Sequence, residues 1–140
     1  MMARTYAQAA ALVFLIVGLG GLLTGDAGHV VHGRASGNFD GVALHLTYVR
    51  DVINIAIGLG FVYAGWRAGE RDAAITVLAA GAVLLLLAVA GFIANDDDAG
   101  TRSFATLHFP LAINIFDLIT GTLGVLCGLG TLGEEPVTTG

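Results

Sequence analysis

Asp51-Val52-Ile53-Asn54-Ile55-Ala56-Ile57-Gly58 is answered, 63 residues on, by Asn114-Ile115-Phe116-Asp117-Leu118-Ile119-Thr120-Gly121. The Asp and the Asn have exchanged places, while the glycine has kept step. Upstream the match continues, with Ala43-Leu44-His45-Leu46 against Thr106-Leu107-His108-Phe109. Each block runs on into a long apolar segment, where an ionisable side chain is costly enough to demand a reason. Two copies of one apolar, polar-centred unit are therefore the frame from which the fold follows.

At 140 residues the chain is one domain in size. Its hydrophobic fraction is 56 %, its mean hydropathy +0.82 and its charged fraction 12 %. That is about half the charge of an ordinary soluble domain. The 21 glycines suit membrane helices, whose backbones approach closely where small residues meet. A net charge of −5 with no basic run excludes nucleic acid and an anionic lipid surface as electrostatic partners. The partner that remains is the interior of a lipid bilayer.

These features predict an all-α, polytopic membrane four-helix bundle built from two tandem transmembrane hairpins. Spans are expected at about 6–23, 44–64, 73–94 and 107–132, each close to the roughly 20 residues that a hydrocarbon core requires. The transmembrane domain is then 1–132, with repeat halves at about 1–69 and 70–132 and a disordered tail at 133–140. Segment 6–23, preceded by Arg4 and followed by Gly25 and Ala27, also has the outline of a signal peptide. Its place as the repeat partner of span three favours keeping it. Arg4, Arg67 and Arg71 fall on one side and Arg34 and Arg102 on the other, with Trp66 beside Arg67 as an interfacial anchor. The excess favours cytoplasmic termini in a plasma membrane.

Asp51, Asn54, Gly58, Phe61 and Gly65 are spaced 3, 4, 3 and 4, as are Asn114, Asp117, Gly121, Gly124 and Gly128. Each set makes one helix face, polar at one end and mostly small at the other. Gly124 and Gly128 form a GxxxG pair, as do Gly21 and Gly25 in the first span. A repeat of two spans implies a pseudo-two-fold axis along the membrane normal, which sets Asp51 level with Asn114 and Asn54 level with Asp117. The expected packing brings spans two and four together at that axis, so that Asn54 donates to Asp117 and Asn114 to Asp51. Arg50 points about 100° away from Asp51 around the helix. It either extends to the interface, reaches Asp117, or reaches an acidic loop residue.

Such a cluster serves either as hydrogen-bonding glue or, with Asp51 and Asp117 titrating, as the centre of a proton- or ion-coupled channel or transporter. His45 and His108 raise a third class, an electron carrier with bis-histidine haem or metal ligation, although each lies about 120° around the helix from the polar face. His29 and His32, three apart, form a possible metal pair if their stretch is helical. Asp96, Asp97 and Asp98 offer hard oxygen ligands, with a solvated acidic loop as the plainer reading. The single Cys127 reads as a packing residue within an apolar segment. No P-loop, nucleophile elbow or zinc-protease helix occurs, so no enzyme is expected.

At the two Asp/Asn faces and at Ile93-Ala94-Asn95-Asp96, the chain resembles the small bacterial four-span membrane proteins of domain-of-unknown-function family 4383. Those proteins carry an Asn, an apolar stretch and a Gly near the start of spans two and four, as in 51–58 and 114–121 here. Where that family places a His four residues before the Gly, this chain has Asn54 and Asp117. The resemblance implies a tetraspan bundle and brings no activity with it. The expectation is a non-catalytic structural or accessory membrane protein, a homo-oligomer or a subunit of a larger membrane complex, with no resident cofactor.

Overall fold

A computed structural model of the chain describes residues 2–24, 29–31, 34–36, 48–94, 103–104, 107–108 and 111–134. Four helices carry it: α1 (Met2–Thr24), α2 (Tyr48–Trp66), α3 (Glu70–Ala94) and α4 (Leu111–Gly133). Three of them, α1, α3 and α4, are long and apolar enough to cross a membrane. Helix α2 has 19 residues and holds Arg50, Asp51 and Asn54 in its first two turns, which dilutes its apolar character. A two-stranded antiparallel ribbon lies between α1 and α2, formed by β1 (His29–Val31) and β2 (Arg34–Ser36). Another, β3 (Ser103–Phe104) with β4 (Leu107–His108), lies between α3 and α4.

Helix α4 begins at Leu111, four residues later than the apolar pattern suggests, with Leu107 and His108 in a strand, while the expected start of span two at 44 lies outside the described residues and α2 is described from Tyr48. Proline at 110 disfavours helical geometry in the residue before it and suits the edge of a helix. Thr47, a residue type favoured at helix N-caps, precedes Tyr48. Helix α3 begins earlier than expected, at Glu70. Glu70 and Asp72 complement the helix dipole in its first turn, and Ala73 N donates to Gly69 O at 2.8 Å. The predicted tail falls outside the described residues from 135 onward.

Burial reproduces the repeat, with one step in it. Buried positions of α2 recur in α4 at the offset of 63: Asp51 with Asn114, Asn54 with Asp117, Gly58 with Gly121, Gly65 with Gly128. Those of α1 recur in α3 at an offset of 70: Ala3 with Ala73, Ala7 with Val77, Phe14 with Leu84, Gly18 with Ala88, Gly21 with Gly91. The two offsets differ by seven residues. The same seven separate the connection 25–47 from the shorter 95–110. Two like hairpins are therefore joined, and the length difference is absorbed where the chain leaves the helices.

The packing differs from the expected one in which helices touch. Each hairpin packs chiefly on itself, α1 on α2 and α3 on α4, with further contacts of α1 with α4, α2 with α3 and α1 with α3. Helices α2 and α4 thus stand at opposite corners, and their glycine faces do not meet at the axis. The Gly124/Gly128 face lies on α3 instead. A Cβ on Gly124 would approach Gly81 Cα to 3.2 Å, and one on Gly128 would approach Ala74 O to 2.9 Å. Gly58 seats Leu15 of α1, and Gly121 its repeat counterpart Leu85 of α3. Small residues are thus used within each hairpin, between helices joined by the longer connections 25–47 and 95–110, whereas the tight turn 67–69 joins the less closely packed α2 and α3. Gly25 is outside the described residues.

The core is small and aromatic: Ala3, Ala7, Ala11, Phe14, Phe61, Ala64, Val77 and Leu84 are buried, and half-buried Cys127 packs against them. Large aliphatic side chains cover the outside instead, with Leu12 61 %, Leu86 71 % and Ile93 77 % exposed. A soluble monomer does not present apolar surface on that scale. Together with the three long apolar helices, this makes the chain a membrane protein.

One end of the bundle is tied across all four helices. Ala3 N donates to Thr131 Oγ1 at 2.9 Å, Arg4 Nη2 donates to Ala68 O, and Gln8 Nε2 donates to Gly65 O at 3.0 Å. The start of α1, the α2–α3 turn and the end of α4 are therefore together, in up-and-down order. Midway, Tyr6 Oη donates to the Thr120 carbonyl of α4 at 2.6 Å. Tyr6→Phe removes that bond alone and is expected to lower stability by about 0.6–1 kcal/mol, read as a small drop in melting temperature in detergent.

Candidate functional site

Five polar side chains are buried near the ends of α2 and α4 farther from the chain termini. Arg50 is 1 % exposed, and Asp51, Asn54, Asn114 and Asp117 are 0 % exposed. Arg50 and Asp51 lie in the first turn of α2 and Asn54 in the next, all turned to one face by their spacing. On α4, Asn114 and Asp117 occupy the matching turns.

The cluster is open to these side chains because α1 and α3 make room for them. At this level the two helices contribute Gly18, Gly21, Ala88 and Gly91. A Cβ on Gly21 would fall 1.9 Å from Asp51 Oδ1, and one on Gly91 would fall 1.9 Å from Asn114 Oδ1. Each carboxyl or amide thus rests on bare backbone of the neighbouring helix in its own hairpin. Asp51 and Asn114 are equivalent under the repeat, and so are the two glycines beneath them.

Of the three expected places for Arg50, the structure shows contact with Asp117, while the acidic loop residues lie outside the described residues. Arg50 Nη2 donates to Asp117 Oδ1 in a buried ion pair between α2 and α4. The long guanidinium arm spans the corner-to-corner separation that shorter amides do not. Accordingly the expected donation from Asn54 to Asp117 is not formed: both Asn54 Nδ2 and Asn54 Oδ1 are sealed in and meet no hydrogen-bonding group among the described residues. The same holds for Asp117 Oδ2. A buried polar atom left unsatisfied costs about 1–3 kcal/mol.

Towards the chain termini the polar character stops at an aromatic layer. Phe14 packs on Phe116 with ring centroids 5.2 Å apart and on Phe61 at 5.6 Å; Phe61 in turn meets Tyr6 edge-on at 5.6 Å. Leu84 and Val77 of α3 complete the buried packing there. Thr120, the nearest hydroxyl on α4, is turned back onto its own helix, where Oγ1 donates to Phe116 O at 2.7 Å.

The histidines fall differently from their expected places. His108 belongs to strand β4, paired in register with Ser103, and does not open a helix. His29 is likewise in a strand, opposite Ser36, so the helical spacing that would make His29 and His32 a metal pair is not met. β-Branched Val30 and Val31 favour the extended form. His45, His32 and the 96–98 aspartates lie outside the described residues.

Sequence reasoning found all five polar side chains and missed what lies under them. Gly91 was the legible omission: aligning the first spans of the two halves with a seven-residue gap pairs it with Gly21. Ile113, which occupies the position of Arg50 in the second half, was the other, and it makes the cluster electrically one-sided. No family, curated protein or solved structure matches the chain.

Proposed function

We propose that the chain is a non-catalytic accessory subunit of a membrane complex, spanning the plasma membrane four times with both termini cytoplasmic. The observation that carries this reading is the Arg50–Asp117 pair. It commits the central charged groups to joining one hairpin to the other, which is what a rigid docking unit needs. The apolar outer faces of α1, α3 and α4 are then surfaces for lipid and for partner helices. Arg4, Arg67 and Arg71 at the terminal end support the orientation.

The test is native mass spectrometry of the protein released from its own membrane in mild detergent. The expected spectrum contains a stoichiometric complex with at least one other chain. A bare monomer or homo-oligomer, reproducible across detergents, would overturn the accessory reading. The rival reading, ion-coupled transport through Asp51 and Asp117, meets the aromatic layer as an obstacle. Flux through reconstituted vesicles is accordingly expected to equal that of empty ones. A pH-dependent flux abolished by Asp117→Asn would instead establish the rival. The bis-histidine electron-carrier reading has no such support, because only His108 of its pair is described and it lies on a strand.

A further inference from the structure

We infer that α2 is a conditional span: the end that bears Arg50, Asp51 and Asn54 sits inside the membrane only while α4 holds it there through Asp117. This coupling between the last helix and the second rests on the four-span reading. Helix length, the division of polar and apolar groups around α2, and the origin of the contacts that cover it all point the same way.

Helix α2 has 19 residues, which at the α-helical rise make about 28 Å, close to the thickness of a hydrocarbon core. Its uninterrupted apolar part is much shorter. The stretch free of Arg, Asp and Asn begins at Ile55 and ends at Trp66, and it covers only about 18 Å. To cross, α2 must therefore carry Arg50, Asp51 and Asn54 below the membrane surface. Of the four described helices it is the one not long and apolar enough to cross by itself, whereas α4 is so even with Asn114 and Asp117. An arginine within the bilayer is expensive, and a free one moves to the interface.

Around α2 the two kinds of surface are sharply divided. Arg50, Asp51 and Asn54 are buried, whereas Val49 and Val52 at the same level are exposed, Val52 by 58 %. Packed on its neighbours, this end of the helix shows lipid an apolar face and hides its polar one. Detached, it would offer a guanidinium, a carboxyl and an amide to hydrocarbon, and its end lies within two turns of all three.

The cover comes from both hairpins. Gly21 of α1 gives Asp51 bare backbone to rest on, and Asp117 of α4 receives the Arg50 guanidinium. Helix α1 precedes α2 in the chain, but α4 is made last. The α1 part of the cover is present when α2 forms, and the α4 part arrives only with the finished bundle. At its other end α2 is held independently of α4: Gln8 Nε2 of α1 donates to Gly65 O, and Arg4 Nη2 donates to Ala68 O in the α2–α3 turn. Loss of Asp117 thus loosens one end of α2 and leaves the other tied.

The experiment follows single cysteines in the full chain, in a Cys127→Ala background, with a membrane-impermeant maleimide offered to both faces of the membrane. Val52→Cys reports the Arg50 end of α2. Leu59→Cys, about two turns deeper and similarly exposed on the outside of the bundle, reports its middle. Both are expected to stay unlabelled. Adding Asp117→Leu should raise the labelling rate of Val52→Cys at least tenfold and leave Leu59→Cys silent. Adding Arg50→Met as well should silence Val52→Cys again, because no guanidinium is left to draw the helix outward. Val52→Cys silent beside Asp117→Leu would show that α2 holds its depth unaided, and equal labelling of both positions would show that the whole bundle has opened; either overturns the proposal. Labelling that persists with Arg50→Met overturns it too, since the cause would not be the guanidinium. Labelling of Val52→Cys with Asp117 in place would instead overturn the four-span reading beneath it.

Discussion

Asp117→Leu is expected to destabilise the bundle by about 3–5 kcal/mol, because it strands the Arg50 guanidinium in an apolar interior. Asp117 is the carboxylate that meets Arg50 from across the bundle, and α4 has Ile113 where α2 has Arg50. The partner substitution separates this cause from simple loss of packing. In Arg50→Met/Asp117→Leu both charges are gone, and apolar replacement of a buried pair is often neutral or stabilising. The double variant should therefore melt well above Asp117→Leu, in a double-mutant cycle read by thermal or SDS unfolding. A double variant no more stable than the single one would mean that the pair is not the brace described here.

The second large effect is expected at Gly81. A Cβ there would meet main-chain atoms of α4, Val125 N at 2.7 Å and Gly121 O at 2.9 Å, which do not swing aside as a side chain does. Gly81→Val must push α3 from α4 and should cost about 1–3 kcal/mol or more, the range for overpacking a tight interior. Gly60→Val serves as the control, since nothing lies within 4 Å of a Cβ on that glycine. Loss of stability at 81 with little change at 60 would place the sensitive contact inside the second hairpin. Equal effects would point to a general intolerance of branched residues in these helices.

Much of the fold was legible because polar residues inside apolar helices are rare enough to be noticed. Asp51, Asn54, Asn114 and Asp117 marked the buried face of two helices, and the 3–4 spacing continued it through Gly58, Gly65, Gly121 and Gly128. What resisted reading was relative position. The same glycine stripe serves a neighbour in sequence or a neighbour across an axis, and nothing in Gly124 or Gly128 says which. What decides it physically is the matching surface: Gly81 and Ala74 of α3 offer bare backbone against Gly124 and Gly128, although α3 and α4 are joined by the longer connection 95–110. The reach of Arg50 was open for a related reason: its three-methylene arm serves several partners, and the placement of α4 brings Asp117 within its reach. The start of α4 lies beyond the expected 107 because apolar residues continue outward past Pro110, into the strand Leu107–His108.

The exchange of Arg50 for Ile113 has a consequence for descent. Under the two-fold that relates the hairpins, two copies of the first would set each Arg50 against Asn54 in place of Asp117, and two copies of the second would set each Asp117 against Ile113 in place of Arg50. Neither half is any longer a good mate for itself. If the protein arose by fusing a self-associating hairpin, these substitutions turned a symmetric handshake into an obligate marriage of unlike halves, after which separating the two genes again would no longer restore the ancestor.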